Sequence, residues 1–317
     1  MVKPGPILIL GGGGFLGARL AEALCEPHEV WVTYRRASAA RQAWLDKSGG
    51  KIRGFCFDSE RQRDLPVGNP FAAIINLAMP GAAETQSDPV RSLDNALRGV
   101  NACLDLLGNG GAERLIHFST FHVYGADGRS QITEGDPPAP RHPYGRNHLA
   151  CEECLQTSPH ASRVCIVRPT NIVAAPAHDD LGPQAGLMAL DLCRQAAQQN
   201  RIKLQNDGQS YRDFLAVGDC LTAVKILLGA DQSLMGGRLL NLASGTAIRL
   251  ADVVAMIQKQ SEMVLGHRPA AEFGHGTDAF RHPFRVAVTA LASLGWRPKL
   301  DLEREIRAIL EFFYHTA

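Results

Sequence analysis

The chain has 317 residues, 45% of them hydrophobic and 21% charged, which suits a globular protein with either one large α/β domain or a domain carrying a smaller lobe. Its 33 basic and 32 acidic side chains leave a formal charge of +1 with no long run of either sign, so neither nucleic acid nor an anionic membrane is an expected partner. No stretch is apolar for long enough to span a bilayer, and MVKPGPILIL lacks the form of a signal peptide, so the cytoplasm is the expected compartment.

In chain order, ILIL (7–10) predicts a strand and FLGARLAEAL the helix after it. HEVWVTY (28–34), KIRGFCFD, AAIINLA, ERLIHFST and SRVCIVRP read as further strands, separated by helical stretches that include DNALRGVNACLDLL and the segment around Tyr144. Strand and helix in alternation predict an α/β fold with a doubly wound parallel sheet covered on both faces. Beyond about residue 170 the alternation loosens. A loop (AAPAHDDLGPQ), a helix near 186–199, YRDFLAV, a helix from Gly218, the strand RLLNLA and two closing helices predict a smaller, interleaved C-terminal lobe. The expected division is 1–170 for a dinucleotide-binding unit and 171–317 mainly for substrate, with some segments returning to the sheet.

Between the first strand and first helix, Gly11, Gly14 and Gly17 form a G-x-x-G-x-x-G frame. Such a turn lets backbone approach a pyrophosphate, which the N–H groups of the helix start can receive, and Phe15 and Leu16 stand at that start. An NAD site would place a carboxylate at the end of the second strand for the adenosine ribose. The chain has Thr33-Tyr34-Arg35-Arg36 there, two guanidiniums suited to a 2′-phosphate, so NADP is the preferred cofactor and NAD the alternative. Asp58 is placed for the adenine edge. Cys151 and Cys154 form a C-E-E-C pair without the further ligands zinc needs, and read as reduced thiols; no metal site is expected.

NLAMP (76–80), HFSTFHVYG (117–125) and ITEGDPPAPRHPYGRNHLACE (132–152), followed by VRPTNIV, SYRDFLAVGDC, LLNLASG and SLGWRP, resemble the extended short-chain dehydrogenase/reductases, the branch of nucleotide-sugar epimerases, dehydratases and reductases. The resemblance covers nearly the whole chain. It implies a Rossmann-type fold, Tyr144 as general acid/base and Thr120 as the group that holds the reacting oxygen. It further implies Leu77, Ala78 and Pro169 beside the cofactor, and Phe121, His122, Asn171, Arg212 and, less directly, Arg281 and Arg285 on the side of a nucleotide-sugar substrate. A homodimer built on a four-helix interface is implied as well. For Arg212 the residues themselves leave a salt bridge to Asp207 or Asp213 open.

Two departures from the family pattern bear on function. Phe121-His122 replace the acidic pair that follows the threonine in 4,6-dehydratases, which leaves epimerisation or ketone reduction. His148 stands where the family has lysine, four residues after Tyr144, and an imidazole titrates near ~6.5 against ~10.4 for an ammonium. Three outcomes stay open: a working enzyme in which His148 orients the cofactor and Arg146 or His142 supplies some positive field; an imidazolium held charged by a nearby anion; or a non-catalytic dinucleotide-binding protein. A reductase of a non-sugar carbonyl is a further alternative.

Overall fold

A computed structural model of the chain describes residues 5–57, 70–125, 128–180, 187–276, 280–299 and 301–316. The first half runs β1 (Ile7–Leu10), α1 (Phe15–Leu24), β2 (Val30–Tyr34), α2 (Ala39–Lys47), β3 (Ile52–Cys56), β4 (Ala73–Asn76), α3 (Ala82–Ser87), α4 (Pro89–Gly108) and β5 (Leu115–Phe118). A turn of 3₁₀ helix (Phe121–Tyr124), β6 (Gln131–Ile132), α5 (Pro143–Gln156), β7 (Val164–Pro169) and β8 (Asn171–Val173) follow.

Beyond β8 lie α6 (Met188–Gln199), β9 (Arg201–Asn206), β10 (Tyr211–Ala216), α7 (Val217–Gly229), α8 (Gln232–Met235), β11 (Arg238–Leu242), β12 (Ala247–Arg249) and α9 (Leu250–Leu265). The chain closes with β13 (Ala270–Gly276), β14 (Arg285–Val286), α10 (Thr289–Ser293) and α11 (Leu302–Thr316).

The main sheet has seven strands in the order β11-β7-β5-β4-β1-β2-β3, all parallel. Strands buried on both faces carry unbroken apolar runs, and the two faces separate by alternation. Ile7, Ile9, Ile75 and Val167 join a core with α1 and α7, while Leu8, Leu10, Ile74 and Ile166 join the core under α4 and α5. The strand order reverses at β1, flanked by β4 and β2, and a crevice for ligands opens at the carboxyl ends of strands at such a point.

The second lobe gathers α6, α9 and α11 around its own core, with Leu190, Phe214, Val254, Ile257 and Ile309 inside it. Two small sheets edge this lobe: β12-β10-β8 and β13-β9. The sequence pattern missed β9 and β13. RIKLQN alternates buried and exposed in β9, but its partner β13 is mostly exposed and has little apolar signal of its own. Three helices, not two, follow β11, because the five-residue α10 is too short to show a helical period. β11 returns from the far side of the second lobe to pair with β7.

Candidate active site

The glycine turn is tighter than a three-glycine frame requires. Gly11 has a φ of +74°, and a Cβ there would meet the backbone of Leu77 and Ala78 at 3.1 Å, so β4's end lies directly against the turn. A Cβ on Gly12 would meet Val32 at 2.6 Å, one on Gly13 would meet Tyr34 at 2.8 Å, and one on Gly17 would meet Gly11 O at 2.5 Å. Gly14 begins α1 with no side-chain cap, which leaves the helix's first N–H groups to a ligand. Backbone amides in a cradle that accepts no side chain fit a pyrophosphate. Of the two residues at the helix start, Phe15 packs toward the second lobe's core and Leu16 toward the core under α1.

At the end of β2 the arginines divide. Arg35 is exposed, with Nη1 3.1 Å from Glu84 Oε1, and Arg36 is exposed. Arg41, in the first turn of α2 and unnoticed in the sequence, is the more enclosed one: its guanidinium lies 5.2 Å over the Tyr34 ring and pairs with Asp180 at 3.0 Å. Asp58 lies outside the described residues.

The catalytic candidates meet at the carboxyl end of β5. His142 caps α5 by accepting the Gly145 N–H on Nδ1 at 3.2 Å, and Pro143 opens the first turn, where its missing N–H costs nothing. A Cβ on Gly145 would meet His122 O at 2.8 Å, so this glycine lets α5 close on the Phe121–Tyr124 turn. That contact sets the Thr120 hydroxyl beside the Tyr144 phenol, near enough to lower the phenol's pKa. Four residues on, along the same helix face, the His148 ring lies 4.6 Å from the Tyr144 ring, edge to face. The rings of His122 and His142 lie 6.0 and 6.1 Å from the tyrosine.

No ammonium replaces the family lysine in this cluster of imidazoles. Burial pushes His148 well below the ordinary histidine range, and His117, His122 and His142 each oppose a charge on it. Both ring nitrogens of His148 are buried without a hydrogen-bond partner, a polar group that a cofactor hydroxyl fits. His142 is lowered by burial and then by Arg146, and its Nδ1 lone pair is engaged, so the positive field expected of it is absent. Arg146 is exposed and donates to Arg141 O. Burial raises Tyr144, against a smaller opposing effect of Thr120. The phenol therefore holds its proton at neutral pH.

Behind this cluster lies His117, which carries no motif and was not foreseen. Asn76 accepts the Ala78 N–H on Oδ1 and so presents its amide N–H to His117 Nδ1 at 3.2 Å. His117 Nε2 then carries the ring proton, and burial lowers the imidazole's pKa to about 4. Glu152, one turn beyond His148, binds Ser119 Oγ and the Arg168 guanidinium (Nε to Oε1, 2.9 Å) in full burial, which anchors the strand end that bears Thr120.

On the substrate side, Phe121 is buried in an aromatic group with Tyr124, Phe280 and Phe284, whereas His122 is exposed. Asn171 donates to Asp213 O at 2.8 Å, and Pro169 ends β7 opposite Leu242. Arg212 makes no salt bridge to Asp207 or Asp213, the two that the sequence leaves open. Asp213 is taken by Thr170 and Ser244, and Asp207 by Arg281 at 2.8 Å through both carboxylate oxygens. Arg212 instead lies 5.6 Å over the Phe280 ring and donates to Tyr211 O. Arg281 is thus held by Asp207, and Arg285 is exposed on β14. Cys151 is buried and Cys154 partly so, and every cysteine is a free thiol.

Fold and site together define a Rossmann-type α/β protein with a short-chain dehydrogenase/reductase arrangement of threonine and tyrosine. Residues 7–243 match the model of the NAD dependent epimerase/dehydratase family. The chain is 30% identical over 319 residues to the dTDP-6-deoxy-L-talose 4-dehydrogenase (NAD(P)(+)) of Kitasatospora kifunensis, covering 96% of this chain and 95% of that one. It is 27% identical over 317 residues to the UDP-glucose 4-epimerase of Streptomyces lividans, covering 93% and 92%. Among solved structures, the UDP-N-acetylglucosamine 4-epimerase of Methanobrevibacter ruminantium superposes with a TM-score of 0.81 at 18% identity over 99% of this chain and 100% of that one. The chain belongs to the NAD dependent epimerase/dehydratase family.

Proposed function

We propose that this protein is an NADP(H)-using oxidoreductase that reduces a keto group on a nucleotide-activated sugar. The observation that carries the reading is the contact of Thr120, Tyr144 and His148 at the carboxyl end of β5. A bound nicotinamide supplies or accepts the hydride. Thr120 and Tyr144 hold the carbonyl oxygen between two hydroxyls, and as the carbon gains hydride the phenol delivers its proton to that oxygen. The neutral His148 offers one donor and one acceptor to the hydroxyls of the cofactor's ribose.

The ionisation of Tyr144 supports the reductive reading. A phenol kept protonated by burial is ready as an acid, whereas alcohol oxidation, and one half of epimerisation, needs the phenolate. The likeness to a hexose 4-dehydrogenase supports C4 as the reacting carbon, and Arg212 and Asn171 suit the nucleotide end of the substrate. The likeness to UDP-glucose 4-epimerases favours a second reading, reversible epimerisation with a retained cofactor.

Two further proposals accompany this reading: a cofactor unit over 1–170 with a substrate lobe over 171–317, and a homodimer through α4 and α5, where Val90 leaves 81% of its surface open. No described helix is long and apolar enough to cross a membrane, and eight unpaired thiols fit a reducing cytoplasm.

The deciding assay offers NADPH with a dTDP-4-keto-6-deoxyhexose and follows loss of the reduced nicotinamide alongside the sugar product. Stoichiometric oxidation, abolished in Tyr144→Phe, supports reduction. Interconversion of UDP-glucose and UDP-galactose without net oxidation supports the epimerase instead. Turnover that survives in Tyr144→Phe refutes both.

A further inference from the structure

The loop that leaves β8 crosses back from the second lobe to the glycine turn. His178, 6% exposed, lies against the Gly13 backbone with its ring 5.3 Å from Trp44. Two residues on, Asp180 receives a hydrogen bond from Ser38 Oγ on Oδ2, and the same oxygen lies 3.0 Å from Arg41 Nη2. Ser38 caps α2, and Arg41 is its first-turn guanidinium. A single carboxylate therefore sits on a hydroxyl and an arginine at the end of β2, beside the glycine turn.

Several features mark this as an anion subsite rather than a surface ion pair. The Arg41 side chain is only 11% exposed, its plane is held over Tyr34, and its Nε is buried without a hydrogen-bond partner. A Cβ on Gly13 would lie 2.9 Å from that Nε, so the guanidinium touches the turn itself. Arg35 and Arg36, by contrast, are exposed, and Arg35 is paired with Glu84. A phosphate monoester meets the same donors as a carboxylate and carries roughly −1.5 to −2 against −1.

We propose that Arg41 and Ser38 read the 2′-phosphate of NADP(H), and that Asp180 is a built-in competitor that fills their subsite until the cofactor arrives. This rests on the cofactor reading above and adds the residues that set its selectivity. Because Asp180 lies on the segment that leads on from β8, whose Val173 and Ala175 pack in the core around α6, α9 and α11, binding at the adenosine end lifts the 174–180 segment off the glycine turn. The cofactor's 2′-phosphate is thereby reported to the core that β8 shares with α6, α9 and α11.

Calorimetric titration of the full chain with NADP and NAD, which differ only in the 2′-phosphate, tests this without turnover. In Asp180→Asn, NADP should bind about tenfold more tightly while the affinity for NAD changes less than about twofold. Arg41→Lys, which loses the planar fork, should lose most of the preference for NADP. Trp44 emission should change on binding NADP and not on binding NAD, and Trp44→Phe should silence that signal. Unchanged NADP affinity in Asp180→Asn overturns the proposal. So does weakened NAD affinity, which would make Asp180 the acceptor for the ribose hydroxyls. A protein that binds neither dinucleotide refutes the cofactor reading as well, whereas normal NAD binding with no effect at Asp180 or Arg41 refutes this inference alone. Asparagine at 180 keeps the shape of the loop, so a failure to fold does not mask the result.

Discussion

His148 faces Tyr144 edge to face at 4.6 Å, and neither nitrogen of the imidazole has a hydrogen-bond partner. The residue that takes the place of the family's cation is thus a neutral ring against a protonated phenol. That arrangement has a pH signature. His148 stays uncharged well below the ordinary histidine range and Tyr144 keeps its proton above the ordinary tyrosine value, so the reduction rate should be flat from about pH 7.5 to about pH 9.5. His148→Lys restores an ammonium beside the phenol. It should move the alkaline limb of reduction down by about one pH unit or more and speed alcohol oxidation about tenfold. Identical profiles for the two proteins would separate the helix-borne base from the ionisation of the tyrosine.

His117 ties stability to acid. Its folded pKa of about 4 lies below the unfolded value near 6.5, so the unfolded chain takes up the proton first as pH falls. The stability this group contributes is complete above about pH 6.5 and is lost on the way down to pH 4, by about 3 kcal/mol in all. Urea midpoints measured across that range should fall more steeply for the wild type than for His117→Gln. Parallel curves would show that the ring is hydrated in the folded protein.

The Glu152–Arg168 pair is almost wholly withdrawn from water. Glu152→Gln leaves the Arg168 charge buried and uncompensated, at a cost of about 3–5 kcal/mol in unfolding free energy. Replacing both residues, Glu152→Leu with Arg168→Met, should cost less than the single change, because no charge remains. Denaturant unfolding of both proteins tests the order. A single variant as stable as the wild type would mean that water reaches the guanidinium.

Gly17→Ala forces a methyl to within 2.5 Å of Gly11 O and Gly12 Cα, backbone against backbone. Dinucleotide binding should be lost, together with several degrees of melting temperature. Gly81→Ala, with open space around the new Cβ, should change neither. Calorimetry and thermal melts on the pair distinguish steric exclusion from a general effect of removing glycine.

The sheet was legible because each strand is a short apolar run followed by a helix, a signal carried within about thirty residues. The glycine turn was legible for the same reason, although the need for Gly12 and Gly13 came from Val32 and Tyr34 on the neighbouring strand. Thr120 and Tyr144 lie 24 positions apart, and only the resemblance linked them before α5 was seen to close on the turn after β5. Long-range partners were hidden. Arg281 was expected at an anion but meets Asp207, 74 residues earlier, and Arg41 meets Asp180 across 139. Neither distance leaves a period in the sequence. His117 sits in a strand like any buried residue, and only Asn76 on the next strand gives its ring an orientation.

The return of β11 to the main sheet bears on how the chain is made. β7 ends at Pro169, yet the strand that covers its outer edge begins at Arg238, after β8, α6, β9, β10, α7 and α8 have been laid down. While the ribosome adds those elements, Val164–Pro169 presents a bare row of backbone donors and acceptors, the kind of edge on which chains stick to one another. That edge stays open until β11 docks.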